Sequence, residues 1–300
     1  AYSLGMILLY GRSATLAKRP EPDDLMTLAA YREAGMLGGV VLAAMAPSVL
    51  FALGAKNEGY PAFGLFLGIV AVLVGVLTWP MWRRQAITGA SISIAGLIGA
   101  GANRLLALAL VNSLPVAFTS TLCLFFVEDR LGLQGKAGGL LILFFISAGL
   151  SVPFWARLAQ SIGPKAVLAI AMPLAIAGFV GAGVLAPGNL VGFVLICAAS
   201  GAALGADMVI LPAMFSVALT RAGLNASAAF GIWSFAGNLG LALAAFTVLP
   251  VLEQAGFSPG TDNTPEALST LNIAYAVIPC VLKLAAFGLV LTLPSEEIPR

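Results

Sequence analysis

The chain has 300 residues, 60% of them hydrophobic and 9% charged, with a formal net charge of +2. A soluble domain carries roughly 25% charged residues, so this composition cannot coat a water-facing globule, and lipid must be the solvent for much of the surface. The small charge balance supplies no broad basic face, which excludes nucleic acid as a partner.

A helix needs about 20 apolar residues to cross the hydrocarbon core. One short apolar run, 1–11, is followed by eight full-length ones near 35–54, 61–81, 105–127, 137–156, 165–186, 189–219, 228–251 and 270–293. This pattern predicts an all-α membrane protein with about nine transmembrane segments. The run 189–219 is long for one span and must tilt or project beyond the bilayer. Between 82 and 104, "WRRQAITGASISIAGLIGAGANR" is less apolar and bounded by arginines, so it reads as a linker between two bundles. Alternate loops differ in basic residues. One set holds Lys18, Arg19, Arg32, Arg83, Arg84, Arg104, Arg157, Lys165, Arg221 and Arg300, and the other Lys56, Arg130 and Lys136. Ten against three puts the first set in the cytoplasm, and the acidic loop 252–268 outside.

Histidine is absent, which removes the commonest general base and transition-metal ligand. Cys123, Cys197 and Cys280 lie far apart in apolar runs, without metal or redox spacing, and read as buried thiols. The chain has no HExxH, phosphate-binding glycine loop or GxSxG. Its 17 prolines and 34 glycines, many inside spans, suit helices that bend and pack closely. These features favour a transporter over an enzyme, with no cofactor or metal.

Taken together, "VNSLPVAFTSTLCLFFVEDRLG", "PFWARLAQSIGPK", "GADMVILPA", "GIWSFAGNLGLALAAFTVLPVLEQAGFSPG" and "AYAVIPCVLKLAAF" resemble, in order and spacing, the glycoside–pentoside–hexuronide:cation symporters. These are the melibiose-carrier-like branch of the major facilitator superfamily. In the N-terminal part, "DDLMTLAAYREAGMLGG" resembles that family's loop and entry to the fifth helix. The resemblance implies a major-facilitator helical bundle of twelve spans in two six-helix halves around a central cavity. On that register residues 1–81 are an incomplete N-terminal bundle, helices four to six. Residues 82–104 are a central cytoplasmic loop, and residues 105–300 the C-terminal six-helix bundle. The first three helices, which carry cation-coupling acids in the family, would lie outside this chain.

The resemblance makes Arg32 a sugar-binding candidate. The alternative is an interfacial arginine that snorkels to phosphate or pairs with Glu33. Trp155, Arg157 and Lys165 lie around a tight turn that helps gate alternating access in the superfamily, or that serves only as a positive-inside anchor. Asn272, Tyr275, Pro279 and Lys283 share a helical face by spacing. Lys283 sits deep enough to need a partner, a wet cavity or a snorkelling route, since a central lysine costs about 2.5–3.5 kcal/mol on insertion scales. Ser227, Gly231, Ser234 and Asn238 form a small polar stripe beside Trp233. Asn238 stands at or near the place where the melibiose carriers have a lysine, and the alternative there is close helix packing. Two further departures are the absence of an acid in "LGMILLYG" and the changed "ILPAMFSVAL".

Asp207 is the one charge between Lys165 and Arg221. A carboxylate so placed can pair with a cation, accept hydrogen bonds from neighbouring helices, or stay protonated. The readings are structural hydrogen bonding or a coupling or substrate role at the central cavity. The resulting expectation is a secondary transporter of a small solute in the bacterial inner membrane. A sugar or glycoside carried with a proton or sodium ion is favoured. A facilitator or exporter of another solute is the alternative, and a non-transporting scaffold or assembly factor is the alternative from another class. The partners are a small-molecule solute and the lipid bilayer.

Overall fold

A computed structural model describes residues 9, 10, 22–54, 60–83 and 94–293. Most of the predicted short run 1–11, much of the linker and the terminal Arg300 lie outside the described residues. Nine helices are numbered here: α1 Pro22–Ala52, α2 Tyr60–Trp82, α3 Ile94–Gly99, α4 Ala102–Arg130, α5 Ala137–Ile162, α6 Pro164–Val184, α7 Leu190–Arg221, α8 Ala226–Gln254 and α9 Pro265–Thr292. All but the short α3 are long and apolar enough to cross a membrane. The reason is chemical: hydrocarbon cannot satisfy a backbone N–H or C=O, so each span must close its own hydrogen bonds.

Polar side chains mark the helix starts. Asn189 accepts from the Gly192 amide at 2.9 Å, Asn225 from Ala228 at 3.1 Å and Thr264 from Ala267 at 3.2 Å. Each satisfies an amide that the first turn leaves open. Gly163, at φ 89°, reverses the chain between α5 and α6. Helices run past several predicted ends. The span predicted at 35–54 belongs to a 31-residue helix, and α7 is one unbroken helix of 32 residues. At 1.5 Å per residue α7 is about 48 Å long, more than the roughly 30 Å hydrocarbon layer, so it tilts or protrudes as expected.

Helix α7 is the central element, packed against α5, α6 and α1, while α4 packs against α8 and α9. The α5–α7 seam is closest because glycine removes the side chain where the backbones cross. A Cβ at Gly201 would strike the Phe144 carbonyl, and one at Gly205 the Ala148 carbonyl and Ser151. Across this seam Trp155 Nε1 donates to the Ala202 carbonyl at 2.7 Å and Ser151 Oγ to the same oxygen at 3.0 Å. By contrast, α2 is exposed along most of its apolar length, as a lipid-facing helix should be.

Two helices depart from α geometry. The last turn of α4, Phe126–Arg130, and the segment Ile273–Val277 of α9 are π-helical. The two π turns meet where Phe126 stacks on Tyr275, ring centres 3.9 Å apart at 10°. A π turn widens the repeat to i→i+5. It therefore offsets the register assumed when Asn272, Tyr275, Pro279 and Lys283 are counted onto one face.

Candidate functional site

A cavity of about 480 Å³ lies between α1, α4, α5, α7 and α8. Its polar lining comprises Tyr10, Glu33, Asn112, Ser113, Ser120, Asp207 and Ser234, with Trp233 and Phe145 as aromatic walls. Behind Asp207, Lys283 of α9 forms an ion pair with Asp207 Oδ2 and donates to Asn112 Oδ1 at 2.6 Å. Lys283 is 2% exposed and Asp207 5%. So the ammonium reaches partners rather than snorkelling to water, and the cluster joins three helices, α4, α7 and α9. Asp207 Oδ1 is buried and receives no hydrogen bond from the described residues. One carboxylate oxygen is clamped and the other is not.

On the α1 side, Glu33 Oε1 accepts from Tyr10 Oη at 2.6 Å and from Arg32 Nε at 2.9 Å. The Arg32 guanidinium also lies 3.6 Å over the Tyr10 ring, a cation–π contact. Tyr10 stacks on Phe230 at 4.7 Å, Phe230 meets Phe215 edge-on at 5.1 Å, and Phe215 lies 4.9 Å from Trp233. This aromatic chain carries the packing from the Tyr10–Glu33 cluster round to the Trp233 wall.

Residues 12–297 match the family model described as MFS/sugar transport protein. The chain belongs to that family. No curated protein matches it significantly. Membership agrees with the helical membrane architecture, and a transporter of sugars is the activity it indicates.

In this MFS/sugar transport protein the residues singled out from sequence fall into separate places. Asp207 and Trp233 line the central cavity, and Lys283 stands directly behind Asp207. Arg32 does not line it, but holds Glu33, which does. Asn238 is exposed and donates from Nδ2 to the Ser234 carbonyl on its own helix at 2.9 Å. Tyr275 belongs instead to the Phe126–Phe193 cluster and lines a separate cavity of about 100 Å³ with Cys123 and Cys197. Trp155 is buried on the α5–α7 seam. Arg157 is exposed, and Lys165 donates to the Leu291 carbonyl at 3.0 Å and to Leu293 at the end of α9. A larger hollow of about 620 Å³ lies at the other end of α4, beside Asn103, Arg104 and Arg221, away from Asp207.

Tyr10, Glu33, Asn112, Ser113 and Ser120 are polar cavity residues not singled out from the sequence as site residues. An asparagine within the apolar run "LALALVNSLPVAF" was the available signal for Asn112, since polar groups at membrane depth need partners. Glu33 was legible only as a neighbour of Arg32. Nothing in the sequence places Tyr10 beside it.

Replacing Trp155 with Phe removes one bond to the Ala202 carbonyl while Ser151 still donates to it. The expected loss is about 1 kcal/mol, read as a lower unfolding midpoint in detergent. An unchanged midpoint would remove Trp155 from the account of how α5 and α7 are held.

Proposed function

We propose that this protein carries a sugar or glycoside across the membrane by cation symport, with Asp207, Lys283 and Asn112 as its coupling element. The observation that carries this reading is the buried Lys283–Asp207 pair set against a sugar-sized cavity. A charge at membrane depth is tolerated when it is paired. Anything that neutralises Asp207 therefore frees the ammonium, and anything that moves Lys283 exposes the carboxylate. Either change shifts contacts between α4, α7 and α9 at once. Such a pair can convert ion binding into helix movement, as rocking of two bundles about a midplane site requires.

A proton is the favoured coupling ion. It needs a single oxygen, whereas a sodium ion at Asp207 would need room and several oxygen ligands beside the ammonium. Among the described residues, the other charged group lining the cavity is Glu33, which Arg32 holds from outside the lining. Among transport readings, the resemblance to the melibiose-carrier-like branch supports symport over facilitation or export.

Asp207→Asn tests this, because it keeps size and hydrogen bonding and removes the charge. In vesicles the variant should lose gradient-driven sugar accumulation and keep downhill exchange. Accumulation equal to wild type at every pH would leave Asp207 a structural residue, and accumulation driven by sodium alone would replace the proton.

The basic-residue bias further supports a cytoplasmic α7–α8 turn, with the α8–α9 loop outside. Ala222 and Asp262 are exposed in these two segments. With single cysteines there in an otherwise cysteine-free chain, an impermeant thiol reagent should label position 262 in intact cells and spare 222. The reverse pattern would invert the topology.

A further inference from the structure

We infer that the central cavity selects uncharged, hydroxyl-rich ligands and rejects sugar acids, with Glu33 and Asp207 as the discriminating residues. This rests on the sugar-transport reading and narrows it to neutral glycosides. The two charged side chains lining the cavity, among the described residues, are both carboxylates. Their cationic partners, Arg32 and Lys283, are not part of the lining. Each cation holds its carboxylate from behind or beside, through Arg32 Nε to Glu33 Oε1 and Lys283 Nζ to Asp207 Oδ2.

This arrangement has two effects. Among the described residues the two pairs bring the site close to net neutrality. At short range, however, the charged side chains nearest a ligand are carboxylates. Asp207 Oδ1, buried and without a donor among the described residues, accepts a hydrogen bond but cannot give one while ionised. It adds negative potential at the cavity wall, which a neutral hydroxyl tolerates and a second carboxylate opposes.

The remaining polar lining consists of Asn112, Ser113, Ser120 and Ser234, neutral groups that suit hydroxyls. Trp233 offers an apolar wall for the C–H face of a pyranose. It is held in place by its contact with Phe215. A uronate would bring an anion against two carboxylates whose side chains are themselves buried, and buried charges are screened less than exposed ones. To displace Lys283 or Arg32 toward the ligand would break a buried pair, so the cations are not free to rescue it.

The test uses matched ligands that differ at one carbon. Aryl glucosides and aryl glucuronides, and the corresponding galactosides and galacturonides, share ring and aglycone and differ in a hydroxymethyl against a carboxylate. Binding to the protein in vesicles is followed by tryptophan fluorescence and by competition with a radiolabelled neutral glycoside. The expected result is preference for the neutral member by about a hundredfold, the scale of like-charge juxtaposition across an interface. Glu33→Gln should shrink that ratio to about tenfold or less by improving uronate binding. The wild-type ratio stands as a test even if this variant folds poorly. Equal binding of the two members, or preference for the uronate, overturns the proposal and leaves sugar transport intact. Binding of neither member of any pair defeats the sugar reading itself and this inference with it.

Discussion

Lys283→Met lowers the stability of this protein by about 3–5 kcal/mol, the usual cost of leaving one member of a buried ion pair without the other. Asp207 would lose the ammonium that clamps Oδ2, and its other oxygen already lacks a donor among the described residues. Asp207→Leu should cost a similar amount, because it strands the ammonium with Asn112 as its remaining partner. The double variant Asp207→Leu, Lys283→Met removes both charges and should recover most of the loss. Unfolding in mixed micelles, run as a double-mutant cycle, measures this. A coupling of several kcal/mol is expected between residues 76 positions apart. Additive losses would mean the two groups do not depend on each other, and both the coupling element and the packing account would fail. The same double variant should fold and yet fail to accumulate sugar, which separates the pair's structural task from its transport task.

Gly205→Val prevents normal assembly of α5 on α7. Two methyl groups and a Cβ would enter space held by the Ala148 carbonyl and Ser151, and neither helix backbone can give way locally. Even Gly205→Ala should cost about 3 kcal/mol, at the upper end for overpacking, since the Trp155 and Ser151 bonds to Ala202 depend on the same close approach. A companion change, Gly139→Ala, meets no atom within 4 Å. It should be neutral or stabilise by up to about 1 kcal/mol, through the better helix propensity of alanine. Folded yield and unfolding midpoint distinguish the two. A Gly205→Ala protein as stable as the Gly139→Ala protein would show that the seam has slack the structure does not indicate.

Spans and their approximate limits were legible because hydropathy is a local property. Twenty consecutive apolar residues demand a bilayer wherever they later pack. Asp207 was legible for the same reason: a single carboxylate in an apolar run stands out without any knowledge of its neighbours. Lys283 was conspicuous by its depth. The helix ends were less so. Pro22 begins its helix well before the predicted start at 35, and Ala102 shortly before 105, because tertiary packing, which buries Leu25 and Ala102, extends a helix without adding hydropathy.

What the sequence by itself determined is the helical membrane architecture, the placement of basic residues at the loops and the presence of two charges that need company. Tertiary structure decided which company they keep. Lys283 meets Asp207 and also Asn112, which is 171 residues away, and no local pattern encodes the rotation that brings three helices to one point. The π turn at Ile273–Val277 changes that rotation within α9 itself. Tyr275 therefore stacks on Phe126 while Lys283 stands behind the cavity. Asn238, on a stripe that reads from spacing as a site, ends up exposed, whereas Glu33, noted only as a neighbour of Arg32, becomes a cavity wall. Burial depth follows from composition, but partnership depends on helix rotation and close approach, which only the packed bundle settles.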